Sequence, residues 1–264
     1  MFARFRTLAL AGLAGAALLA PLPAMAQENQ EPLARFEDEL CPGVFGLQQD
    51  AAEQMVGRMR ANAEAFGLRM AENGECEANF VVGFVANGHE FLTDLEARRG
   101  YIFAEMPRVE RDALLAHLGP AHALLRVRSR TRDGFPISRR ENLVELPKAA
   151  LWMAHSLIYS ATRNDIIAAT VLFDRDAIRG LNLAQLADYA TFRALAHRLP
   201  GPEAAAEPSI LTLFESDAAA RPTALTEFDR AYLAQLYTGL PNIPRPAKLA
   251  DLAAATGTEP GSVD

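Results

Sequence analysis

The sequence predicts an α+β domain, a small mixed sheet packed by helices, on three observations. Residues 79–85 (NFVVGFV) and 165–173 (DIIAATVLF) are β-branched, aromatic and apolar over the length of a strand. From Leu125 the chain alternates arginine with other residues at the two-residue period of a strand. Around these runs lie stretches whose apolar residues recur every three or four positions, as in helices that cover a sheet. Half of the sequence is apolar, enough for a sizeable core.

The N-terminus bears on compartment. Residues 1–6 hold Arg4 and Arg6 and no acid; an apolar run over 8–19, then Pro21 and Pro23, follows. Ala24-Met25-Ala26 puts small residues at the two positions a signal peptidase reads, so 1–26 reads as a signal peptide cleaved after Ala26. The run of about 12 residues is short of the roughly 20 that cross a bilayer. The expected product is periplasmic or secreted, with no transmembrane anchor. Losing two arginines makes a net charge of −7 more negative still, which argues against nucleic acid as a partner. Cys41 and Cys76 are the cysteines of the chain. In an oxidising compartment they are expected to form one disulfide, closing a loop of roughly 35 residues and adding roughly 3–4 kcal/mol.

The elements follow in order. Residues 27–40 are polar and acidic and read as a flexible leader to a single domain over 41–240. Met55, Val56, Met59, Ala63 and Phe66 share a helical face that Gly67 ends. The strand at 79–85 leads to an Asn87-Gly88 turn, a short helix with Phe91, Leu92 and Leu95, and a helix over 107–118. The alternating strand puts Arg126, Arg128, Arg130 and Arg132 on one face, with Arg139 and Arg140 beyond. One reading is a charged edge strand that resists pairing with another chain. The other is a patch for an anionic ligand or partner. A helix is expected over 146–160, then the strand at 165–173. Gly180 opens a long helix with Leu183, Leu186, Ala187, Ala190 and Leu195 on one face. A Pro/Ala-rich connector over 200–208, a short apolar run over 209–214, and a helix follow. Thr226 and Asp229 have the form of a capping box for that last helix. Residues 241–264 read as a flexible tail.

Strand, long helix, connector, short apolar run and capped helix resemble the C-terminal half of zincin metallopeptidases. The closing segment 225–237 (LTEFDRAYLAQLY) is similar to the last helix of that class. The chain looks most like exported bacterial proteins of unknown function with a zincin-like half, over about residues 76–240. The resemblance implies a metal held by HExxH on the long helix, where two histidines share a face and the glutamate activates water. The matching segment here reads Gln185-Leu186-Ala187-Asp188-Tyr189, and the third-ligand position falls at Leu195. No catalytic residue, metal or cofactor is therefore expected. Gln185, Asp188 and Tyr189 are candidates for a polar pocket; otherwise Asp188 is solvated or pairs with Arg193, and Tyr189 packs in the core.

Other chemistries find less support. His89-Glu90 is followed by Thr93-Asp94 where a second histidine would be needed. His117 and His122 flank a Gly-Pro break, and a metal there needs distant ligands. His197 stands alone near a helix end. No G-x-S-x-G, Walker loop or G-x-G-x-x-G exists, and Ser156 beside His155 is only a neighbour pair. Asp38, Glu90, Asp165, Asp174, Asp176 and Asp188 could supply paired carboxylates, with nothing to choose among them. The expectation is an exported, non-catalytic protein that binds an envelope partner or ligand. The alternative is a hydrolase of peptide or cell-wall material with an unidentified active site.

Overall fold

The computed structural model describes residues 31–72, 76–137, 156, 158–196, 207–217 and 219–258 of the chain. The expected signal peptide, Arg139, Arg140, His155, His197 and residues 146–155 and 157 of the helix expected over 146–160 lie outside the described residues; 158–160, at the end of that span, are not helical.

The chain folds as α+β, with a four-stranded sheet among the described residues in the order β1-β2-β4-β3. β1 (Pro42–Phe45), β2 (Phe80–Val85) and β4 (Thr162–Asp174) run parallel, and β3 (Ala121–Thr131) pairs antiparallel to β4 at the edge. α1 (Gln49–Ala65) joins β1 to β2. α2 (Gly88–Arg99), a 3-10 turn (Gly100–Phe103) and α3 (Arg108–Ala116) lie between β2 and β3. After β4 come α4 (Leu183–Ala196), a second 3-10 turn (Ile210–Phe214), α5 (Glu227–Tyr237) and α6 (Arg245–Thr256).

The two-residue period of the strands divides the apolar side chains between two layers. Phe80, Val82, Phe84, Val171 and Phe173 turn to one face, where they join Met55 and Met59 of α1 in the main core. That core continues through α4, α5 and α6. On the other face Leu124 and Leu172 meet Leu92 of α2 and Phe103 of the first 3-10 turn in a smaller cluster. Gly83 is required in mid-β2: a Cβ there would stand 2.2 Å from the Phe45 ring and 2.7 Å from Leu172. The disulfide between Cys41 and Cys76 ties the start of β1 to the approach to β2.

Two expectations are corrected. Residues 32–40 are docked rather than flexible: Phe36 and Leu40 are buried, and Arg35 pairs with Asp165 as an extra bridge on the free side of β4. The tail contains α6, whose Leu252 and Ala253 are buried in the main core. A fully buried leucine contributes roughly 1.5–3 kcal/mol, too much for a segment that detaches freely. In the first segment the apolar residues Leu33, Ala34, Phe36 and Leu40 follow no regular period, and in α6 most of the apolar positions are alanines flanked by Pro and Gly, which read as a loose tail. Lys248 of α6 donates to the carbonyls of Gln235 and Thr238, and Arg35 donates to those of Leu236 and Gly239. The orphan carbonyls at the end of α5 thus take cations from both segments.

Candidate functional site

α4 carries the positions singled out by the resemblance, and each is spent on the fold. Its N-terminus is closed by a reciprocal pair: Gln185 N–H donates to Asn182 Oδ1 at 2.8 Å, and Asn182 N–H donates to Gln185 Oε1 at 3.1 Å. Gln185 Nε2 donates to the Pro222 carbonyl at 2.8 Å, so both ends of the amide are occupied. Asp188 is fully buried and accepts from four donors: Arg58 Nε at 2.7 Å, Arg58 Nη2 at 2.8 Å, Asn62 Nδ2 at 2.7 Å and Leu225 N–H at 3.0 Å. Burial alone would raise its pKa, but Arg58, Asn62 and the Leu225 amide more than offset this and hold the carboxyl below the usual carboxylate range. Its partner is Arg58 of α1, in place of the expected Arg193. Tyr189 packs in the core between the rings of Phe173 and Phe214, at 5.7 and 5.1 Å. Burial pushes its hydroxyl pKa up. Leu186 and Leu195 are buried as well. Gln185, Asp188 and Tyr189 therefore point to three different environments, and the structure does not gather them into one pocket.

The arginines of β3 lie on the edge strand, and acids of the same chain meet most of them. Arg128 faces Glu105 at 3.2 Å, and Arg130 lies 3.2 Å from Asp38 and 3.3 Å from Asp165. Arg132, expected on the strand, instead lies in the turn just past β3, 3.5 Å from Asp133. Arg126 is half-buried beside a bulge in the β3–β4 pairing. Asp165 also meets Arg163 at 2.9 Å, while burial drives its pKa upward against these cations. The surface is an internally neutralised network more than an open cationic patch. Of the remaining carboxylates, Asp176 pairs with Arg179 and Asp174 accepts from Gly88 N–H at 2.6 Å.

An open concavity lies where the parallel strands end. Asn87 caps α2 by accepting from Glu90 N–H at 3.1 Å. A pocket of about 620 Å³ forms around this turn, lined among others by Val85, Asn87, His89, Glu90, Phe91 and Thr93. The carboxyl ends of parallel strands are where α/β sheets commonly receive ligands. Phe91 and Phe45, both partly exposed, stand with ring centroids 6.2 Å apart beside it. Asp94 is tied to Arg98 at 2.8 Å, which leaves Glu90 as the exposed carboxylate next to the aromatic pair.

His122 of β3 is 1% exposed and packs against the backbone at Gly88 of the same turn. His117, exposed on the loop before β3, meets it edge to face at 5.1 Å. Burial first, then His117 and His89, lower the His122 pKa against the pull of Asp174 and of a hydrogen bond with the Gly119 backbone. Among the described residues no three His, Cys, Asp or Glu side chains are grouped so as to hold a metal ion.

Comparison with known proteins finds no matching family model, no matching curated protein and no matching solved structure. No described helix is long and apolar enough to cross a membrane. Reasoning from sequence alone missed Arg58 and Asn62 as the partners of Asp188, because they lie 130 and 126 residues away from it. It read Asn87-Gly88 only as a turn. A strand ending in a capped helix start was the available signal for the pocket.

Proposed function

We propose that this chain is an exported, non-catalytic protein of zincin-like layout that binds an envelope-side ligand at the carboxyl ends of β1 and β2. The observation that carries the first half is the engagement of Gln185 at both ends of its amide and of Asp188 by four donors within the fold. Side chains held in this way cannot turn to an ion or a water without dismantling their surroundings. The succession β4, α4, 3-10 turn and capped α5 supports the layout. The disulfide suits an oxidising compartment.

The pocket supports the second half. Phe45 and Phe91 beside Glu90 favour a ligand with a cationic or hydrogen-bond-donating group next to an apolar body, since a ring face and a carboxylate attract the same charge. The chain without residues 1–26, incubated with isolated cell-wall and membrane fractions, is expected to sediment with one of them. Phe91→Ala and Glu90→Gln should each weaken that retention about tenfold, equivalent to about 1.4 kcal/mol. Casein and cell-wall fragments should stay intact throughout. Retention that survives these changes but vanishes on Arg128→Glu with Arg130→Glu would move the site to β3 and overturn this placement. Hydrolysis abolished by a chelator would overturn the non-catalytic reading.

A further inference from the structure

The corner where α2 begins carries an inference that does not depend on the role of α4 or on what fills the aromatic pocket. Three of the chain's five histidines act on one another there. His122 lies so close to the first residue of α2 that a Cβ on Gly88 would stand 2.4 Å from its ring. Gly88 N–H donates to Asp174 Oδ1 at 2.6 Å. The acid that braces the helix start therefore stands beside the buried ring. A neutral imidazole suits this place, and a charged one does not. At 1% exposure the charge loses its water. It also faces the amino end of a helix, where the backbone carries partial positive charge. His117, edge to face at 5.1 Å on the loop before β3, and His89 of α2 oppose it. α3, the other helix on this face, packs through the apolar Leu114 and Leu115. Asp174 of β4 and a hydrogen bond with the Gly119 backbone favour the charged ring, but burial and the two histidines outweigh them.

We propose that His122 is an acid-sensitive latch on α2: neutral, it leaves Asp174 to hold the Gly88 amide; protonated, it draws Asp174 to itself and frees the first turn of the helix. The proton taken from solvent gives the ring a second N–H, which Asp174 accepts in place of Gly88 N–H. A turn freed in this way bears Asn87, His89, Glu90 and Phe91, so acid loosens one wall of the pocket. The unfolded chain takes up this proton near about pH 6.5, and the folded chain does so only at lower pH. Stability therefore falls as pH drops below about 6.5, and the fall from this source ends below the folded value.

The test is an NMR titration of the untagged chain from about pH 8 to about pH 5, following the His122 ring and the Gly88 amide. Amide-exchange protection is measured near both ends of that range at Gly88 and at Phe91, whose N–H donates to the Asn87 carbonyl. The ring is expected to titrate below about 6.5, with the Gly88 amide following at the same midpoint. Protection at both amides should fall roughly tenfold or more in acid. His122→Phe keeps a ring of similar volume without the proton and should abolish both responses. His89→Gln, altered next to Gly88, should keep them. Where circular dichroism shows His122→Phe unfolded, His117→Ala decides: loss of an exposed ring that opposes the charge should move the shared midpoint upward. A ring midpoint at or above about 6.5, or a Gly88 amide that does not follow it, would overturn the proposal. So would responses that persist in His122→Phe or vanish in His89→Gln, or a midpoint that does not rise in His117→Ala.

Discussion

Asp188→Ala is expected to lower the free energy of unfolding by roughly 3–4 kcal/mol, with a matching fall in the midpoint of urea denaturation. Four donors converge on this carboxylate, but they would not all suffer equally. Arg58, whose side chain is 39% exposed, can turn to water and recover most of its solvation. Asn62 is buried, and the Leu225 amide is enclosed beside it; each would be left without its acceptor at about 1–3 kcal/mol. Asp188→Asn keeps the shape and one acceptor oxygen, so about half of the loss is expected. The sign with pH follows from the depressed carboxyl. Its contribution is present above the unfolded value of about 3.9 and is lost as pH falls through the folded one. The asparagine variant should therefore show a flatter decline in stability on the acid side of about pH 4 than the wild-type chain. A loss below about 1 kcal/mol in the alanine variant would show that α1 and α4 are held by apolar packing alone.

Asp229→Ala should cost roughly 2–4 kcal/mol, because one buried carboxylate fastens two segments. It closes the capping box of α5 by accepting from Thr226 N–H at 2.9 Å. It also accepts from Ser209 Oγ at 2.6 Å and from Ile210 N–H at 2.8 Å, at the entry to the second 3-10 turn. Thermal unfolding followed by circular dichroism gives the magnitude. Amide exchange gives the location, since protection should fall at Ile210 and Thr226 together. If only Thr226 loses protection, Asp229 is a helix cap and nothing more.

These two carboxylates mark how far the sequence could be read. The capping box was legible because Thr226 and Asp229 are three residues apart and their bond is local. The bond between Ser209 and Asp229 spans 20 residues and the second 3-10 turn, and nothing in either residue announces the other. Asp188 stood out for its place on a helix, while the α1 residues that neutralise it left no mark within its own neighbourhood. Strand and helix positions were legible for the same reason, since hydrophobic period is a local property. α4 begins at Leu183, slightly after the Gly180 that seemed to open it, and α2 runs well past the three apolar residues that suggested it. The histidines were the least legible. His89, His117 and His122 share one corner only because β2, α2 and the antiparallel return of β3 bring their ends together.

Arg35 and Lys248 both close on the carbonyl end of α5, so the earliest and latest described stretches of the chain are fastened to one hub. A polypeptide that emerges from one end first cannot form this clasp until nearly all of it has been delivered. The clasp is then a late event, and a chain stalled before the end of α5 would leave Arg35 without the Leu236 and Gly239 carbonyls.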